Sequence, residues 1–176
     1  MRTVRTKVYQ FSELSKDAQQ KAVEDNAIYA EYFFADDAIN SLREFAKHFN
    51  CEVKNYEFDF TGAYCPSWVK FNTDNAEFTE DELSALIESM GGYNKENLRG
   101  DGDCVFSGYC ADEDAADGAR IAFFNGERDI NNILQSGFNS WLKSIMADYE
   151  YQLSYEGFAE HCEANNLEFK ADGTMF

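Results

Sequence analysis

The sequence predicts an α+β fold: a single domain over residues 1–176, with four to five helices around one long C-terminal helix and a small, mainly antiparallel sheet. Three observations predict it. From Asp129 to Leu153 apolar residues recur at the three-and-four spacing of one helix face. Short segments near 2–10, 51–60 and 68–71 alternate with the period of strands instead. The 176 residues, with 16 Phe and 10 Tyr among them, can fill a real core, which excludes a disordered chain.

The long helix is the organising element. Ile130, Ile133, Leu134, Phe138, Trp141, Leu142, Ile145, Met146, Tyr149 and Leu153 form its apolar stripe. Asn131, Asn132, Gln135, Ser140, Lys143 and Asp148 form the polar face. Gly137 is its one weak position. Such a stripe must be covered by other elements.

In chain order, Val4, Thr6, Val8 and Gln10 alternate against Thr3, Arg5, Lys7 and Tyr9, which reads as a strand over 2–10. A helix then starts after Phe11. Ser12 or Ser15 caps it, Leu14, Ala18, Ala22 and Val23 face inward, and it fades near Asn26. Tyr29, Tyr32, Phe33 and Phe34 read as a buried aromatic knot. A second helix over 35–49 turns Ala38, Ile39, Leu42, Phe45, Ala46 and Phe49 inward. Cys51 to Phe60 reads as a strand with Tyr56, Phe58 and Phe60 on one face and the acids Glu57 and Asp59 on the other. It pairs as a hairpin with Trp68 to Phe71. Thr79 and Glu82 make a capping box for a helix carrying Leu83, Leu86, Ile87 and Met90, and Gly91-Gly92 ends it.

Residues 91–118 read as an irregular, glycine-rich, acidic region, with a short strand near Val105, Phe106 and Tyr109. Ala119 to Phe124 reads as a further strand and Asn125-Gly126 as a turn. Ser154 caps a last helix with Phe158 and Ala159 inward, Asn165-Asn166 ends it, and Asp172-Gly173 marks a hairpin turn.

Charge is the strongest functional signal. There are 33 acids against 15 bases, a formal charge of -18. Such a chain is repelled by nucleic acid and by anionic membranes and is drawn to basic partners. Spread over a globule of roughly 8,700 Å², the acids stand about 260 Å² apart. Duplex DNA, at one charge per ~1.7 Å of axis, presents one charge per roughly 110 Å². Imitating DNA therefore requires the acids to cluster about twofold on one face.

Catalytic signatures are sparse. The patterns GxGxxG and GxxxxGK[ST] are absent, so no phosphate cradle is expected. Asp101, Asp103, Asp112 and Glu113 suggest a hard-cation loop, but Val105 and Phe106 stand where an EF-hand needs a ligand and a glycine. Cys51, Cys65, Cys104, Cys110 and Cys162 form no CxxC pair and read as reduced, structural thiols, and His48 and His161 lack ligand spacing to them. No cofactor, no metal and no catalytic residue is expected. No apolar run reaches the ~18 residues of a membrane span, and Met1 to Arg5 lacks a signal-peptide core, so a cytosolic protein is expected.

The two ends of the chain carry a likeness. Val8-Tyr-Gln-Phe-Ser-Glu-Leu-Ser-Lys-Asp-Ala-Gln-Gln-Lys-Ala22 resembles the opening of a family of acidic bacteriophage proteins, in which a strand ending Tyr-x-Phe-x-Glu-Leu runs into an alanine-rich helix. Glu150-Tyr-Gln-Leu-Ser-Tyr-Glu156 and Asn165-Asn-Leu-Glu-Phe-Lys-Ala-Asp-Gly173 are similar to its ending. Tyr32 to Phe34, Asp37-Ala38 and Tyr56-Glu-Phe-Asp-Phe60 fit more loosely, and 91–118 departs from the pattern. That family has no assigned catalytic residues, so the resemblance implies a phage origin and host cytoplasm, and no site.

A phage origin gives the charge a meaning. Small acidic phage proteins block host nucleic-acid enzymes, CRISPR effectors among them, by filling a basic groove. The expected function is such a non-enzymatic, anti-CRISPR-like inhibitor, a nucleic-acid mimic. The expected contacts are Asp101, Asp103, Asp112, Glu113, Asp114 and Asp117, then Glu57, Asp59, Glu77, Glu80, Asp81 and Glu82. An accessory interaction protein of phage replication or assembly is the alternative, and a metal-dependent enzyme built on the acidic loop is a third.

Overall fold

The computed structural model describes residues 7–27, 31–60, 66–90 and 106–176. In chain order its elements are β1 (Tyr9–Gln10), a 3-10 turn (Phe11–Glu13), α1 (Lys16–Ala27), α2 (Ala35–His48), β2 (Glu52–Glu57), β3 (Trp68–Asn72), α3 (Glu80–Ser89), α4 (Ala111–Phe124), α5 (Ile130–Leu153), α6 (Tyr155–Asn165) and β4 (Glu168–Phe169). The class is α+β, as the periodicities predict. Both sheets are antiparallel pairs, β1 with β4 and β2 with β3. The chain divides into two compact units, one of Met1–Phe33 with Asp148–Phe176 and one of Phe34–Ala147.

The unit built from both chain ends has a core of Phe11, Leu14, Ala18, Ala22, Val23, Phe158, Cys162 and Phe169. Phe11 meets Phe158 edge-on with ring centroids 5.4 Å apart, the favoured geometry for two ring quadrupoles. Of the two candidate caps for α1 it is Ser15 that serves, accepting from the Ala18 amide at 3.3 Å. Ser154 caps α6 through the Gly157 amide at 3.0 Å, and Asn166 closes it in the left-handed region. Gly173 completes the Asp172-Gly173 turn at φ +86°, where a Cβ would stand 2.2 Å from the Ala18 carbonyl oxygen. Only glycine allows that approach.

In the Phe34–Ala147 unit, Ile133, Leu134, Phe138, Trp141 and Ile145 of α5 are fully buried. They share the interior with Leu42, Phe45 and Phe49 from α2, Ile87 from α3 and Phe123 from α4. Each such side chain contributes ~1.5–3 kcal/mol by leaving water. The capping box of α3 forms as expected: Thr79 Oγ1 accepts from the Glu82 amide, and the Glu82 carboxylate accepts from the Thr79 amide at 2.7 Å. The β2–β3 hairpin forms too, with Val53 opposite Phe71 and Tyr56 opposite Val69.

Several expectations fail, each for a physical reason. The strand over 2–10 reduces to Tyr9–Gln10 among the described residues, because β4 offers only two residues to pair with. Residues 2–6 lie outside them, as do Tyr29, Gly91, Gly92 and Val105. β2 ends at Glu57 rather than Phe60. Phe58 instead lays its ring against Phe138 and Trp141, at 6.0 and 5.3 Å. The aromatic knot is only partly core: Tyr32 is buried, whereas Phe33 and Phe34 are 50% and 47% exposed. Phe106 to Tyr109 form no strand. The largest correction is α4, one continuous helix where an acidic loop followed by a strand over 119–124 was expected. Its buried residues are small: Ala111, Ala115, Ala116 and Ala119 pack where large apolar side chains usually announce a helix.

Candidate functional site

Helix α4 turns the acidic run into a structured feature. Ala111, Ala115 and Ala119 fall at i, i+4 and i+8 and are wholly buried, which fixes the direction of the remaining side chains. Gly118 and Gly137 bring α4 and α5 together: a Cβ on Gly118 would lie 2.5 Å from the Ser136 carbonyl oxygen and 2.9 Å from the Gly137 Cα. Beside this approach the two helices line a groove of about 560 Å³. Glu113, Asp114 and Asp117 enter it from α4, and Ser140, Lys143 and Ser144 from α5. Asp117 is paired with the guanidinium of Arg120, which is buried and also donates to the Met90 carbonyl oxygen at 3.1 Å. Apart from Asp117, the lining holds two carboxyl side chains, Glu113 and Asp114, and one ammonium, Lys143. Two carboxylates and two hydroxyls suit a guanidinium or ammonium group.

The twelve expected contact residues do not form one surface. Asp101 and Asp103 lie outside the described residues. Asp112 is 0% exposed and points inward. Its Oδ2 accepts from the amides of Phe106, Ser107 and Gly108 at 3.0, 2.5 and 3.0 Å, and its Oδ1 from the Ser107 hydroxyl at 2.9 Å. A carboxylate so committed is a structural clamp, and the expectation that it meets a partner is wrong. Glu57 is exposed and accepts from the Trp68 indole at 3.1 Å, but exposed Lys54 and Lys70 flank it on the same hairpin. Asp59 is half-buried beyond the end of β2, so no continuous acidic strand face exists there. Glu80 is held by Arg128 at 3.0 Å. Glu82 is folded back onto Thr79, whose amide and then hydroxyl hold its carboxyl below the usual range. Glu77 and Asp81 are exposed.

Cys51 and Cys162 are buried, and burial pushes both thiols up to about 11, so they are inert at neutral pH. Cys110 is a free thiol, while Cys65 and Cys104 lie outside the described residues. His48 is half-buried against the Leu86 carbonyl, and burial lowers its pKa below the usual imidazole value. Among the described residues no group of three His, Cys, Asp or Glu side chains is placed to hold a metal ion.

The chain matches no family model, no curated protein and no solved structure. The site must therefore be read from its own chemistry. Sequence reasoning placed Ser140 and Lys143 on the polar face of the long helix but gave them no role. The signal for one was present in Gly118 and Gly137, small residues on two helices that permit the backbones to approach. A second feature was passed over: α6 carries Glu156, Glu160 and Glu163, all exposed, and neither Lys nor Arg.

Proposed function

We propose that the protein is a phage-encoded, non-enzymatic inhibitor of a host nucleic-acid-targeting defence complex, anti-CRISPR-like in action, working in the host cytoplasm. Its acidic surface occupies a basic groove that the complex uses for DNA or RNA. The observation that carries this reading is the formal charge of -18. Such a charge gives fast, steered association with an Arg/Lys-lined channel and a salt-sensitive affinity. The α4–α5 groove supports it locally, because three of its lining side chains are acidic and one is basic.

The corrected contact set defines the test. Glu113→Lys with Asp114→Lys reverses the groove while sparing the Asp112 clamp and the Asp117–Arg120 pair. Purified protein is mixed with CRISPR effectors and restriction enzymes, and both capture and inhibition of cleavage are measured at ~50 and ~200 mM salt. Wild-type protein captures and inhibits one of them, and the double variant loses about tenfold with a shallower salt dependence. Capture of a replication or virion-assembly protein in place of a nuclease would move the assignment to an accessory factor. Unchanged inhibition by the double variant would remove the groove from the mechanism.

A further inference from the structure

The turn between α4 and α5 holds a reactive pair of residues. Asn125 is the only asparagine of the chain that is followed by glycine. Both residues are exposed. Asn125 is the C-cap of α4, and its side-chain amide has no hydrogen-bond partner among the described residues. Gly126 sits at φ +98° with open space where a side chain would stand. Two other asparagines, Asn40 and Asn139, precede serine, the next smallest obstacle to the same chemistry. The fold holds both of them differently. They lie inside α2 and α5, where the amides of Ser41 and Ser140 belong to the helical ladder. Ser41 is moreover 0% exposed.

We infer that Asn125 is a site of spontaneous deamidation, through attack of the Gly126 backbone nitrogen on the Asn125 side-chain carbonyl carbon. Hydroxide takes the Gly126 amide proton. The bond from Gly126 N to Asn125 Cγ forms, the Cγ–Nδ2 bond breaks, and the departing nitrogen takes a proton from water to leave as ammonia. Water then adds to either carbonyl of the resulting cyclic imide and breaks its bond to the ring nitrogen. The product is aspartate, or isoaspartate with the backbone routed through the former side chain. Water is the only co-reactant, and one negative charge is added to the formal -18. Glycine favours the attack because it has no Cβ to obstruct it. The fold opposes it to a limited degree. The ψ of Asn125 is 4°, and the Gly126 amide donates to the Phe123 carbonyl oxygen at 3.0 Å. Ring closure needs that bond broken and ψ turned. A single bond at an exposed helix end is among the first to open. Its presence slows the folded chain about fivefold relative to the unfolded one. The aspartate formed stands at the C-terminus of α4, where the helix dipole disfavours an acid.

The test ages the full chain in mildly alkaline buffer at physiological temperature. Anion exchange separates the more acidic forms, peptide mass mapping places the change, and isoaspartyl methylation detects the isoaspartate. The first acidic form to appear carries its change at Asn125 and is methylated. Its aspartate fraction elutes with the Asn125→Asp protein, whose thermal midpoint lies about 1–3 °C below wild type. Asn40 and Asn139 keep their amides until the chain is unfolded in urea. Asn125→Gln, which keeps the amide but needs a larger ring, lacks the early acidic form. That form arising as fast in Asn125→Gln as in wild type would overturn the inference. So would an Asn125 that stays amidated in the folded chain after other asparagines have reacted. Neither result bears on what the protein binds, so the inference stands or falls apart from the functional reading above.

Discussion

Asp112 shows how far one side chain's role can depart from its charge. In sequence it is one acid among several. In the fold it satisfies three consecutive backbone amides and a hydroxyl, at 2.5 to 3.0 Å, with no exposure to water. Arg120 lies two turns further along α4 and donates to the Met90 carbonyl. The two side chains thus fix Met90 and Phe106 to Gly108, the chain on either side of residues 91–105. Asp112→Ala removes the acceptor of three part-buried backbone amides and should cost about 2 kcal/mol, a large share of a typical domain's stability. Asp112→Asn keeps one acceptor oxygen but turns an amide NH2 toward other donors, and should cost about half as much. Urea unfolding gives the magnitudes, and hydrogen exchange locates them: the amides of 106–108 should lose protection first. A loss under ~1 kcal/mol for Asp112→Ala would mean that those amides turn to water instead.

At the level of elements, legibility followed side-chain size and locality. α2, α3 and α5 were readable because large apolar residues such as Phe45, Ile87 and Trp141 repeat at helical spacing, and α3 and α6 because Thr79 and Ser154 supply caps within three residues. α4 was not, because its buried stripe is alanine and its first turn carries Asp112, Glu113 and Asp114. A run of acids resembles a solvated loop unless the i, i+4, i+8 spacing of Ala111, Ala115 and Ala119 is weighed above hydrophobicity. Of the candidate site, Glu113, Asp114 and Asp117 were named from sequence. Their facing wall was not, since which side chains meet across a helix pair is set by tertiary approach. Gly137 makes that approach testable. Ala should be better than Gly in mid-helix by ~1 kcal/mol. Here its Cβ would fall 2.2 Å from Phe45 Cζ and 2.8 Å from the Ala115 carbonyl oxygen. Phe45 is 0% exposed and has no room to swing aside. The overpacking cost should win, leaving Gly137→Ala less stable by about 2 kcal/mol. Gly126→Ala is the comparison. Its φ is +98° with nothing within 4 Å, so backbone strain alone costs ~1 kcal/mol. A Gly137→Ala protein that melts above wild type would show that the two helices pack less closely.

For the whole molecule the dominant fact is an excess of like charge. The described ion pairs are few and mostly exposed, Lys21–Asp25, Lys47–Glu44 and Arg128–Glu80 among them. Exposed pairs of this kind contribute ~0–1 kcal/mol each. The remaining carboxylates repel one another over distances that salt controls: the screening length falls from about 20 Å at 20 mM to about 6 Å at 300 mM. Screening therefore weakens the few attractions slightly and the many repulsions more. The thermal midpoint should rise by several degrees between those sodium chloride concentrations. The gain should shrink in the Glu52→Gln, Asp81→Asn, Glu88→Gln variant, which carries three fewer negative charges. Effects of salt on apolar burial act on both proteins alike, so the difference between their slopes isolates the charge term. A midpoint that falls with salt would mean that specific ion pairs outweigh the repulsion. The surface would then be balanced patch by patch, and a basic groove would feel far less attraction than the formal charge implies.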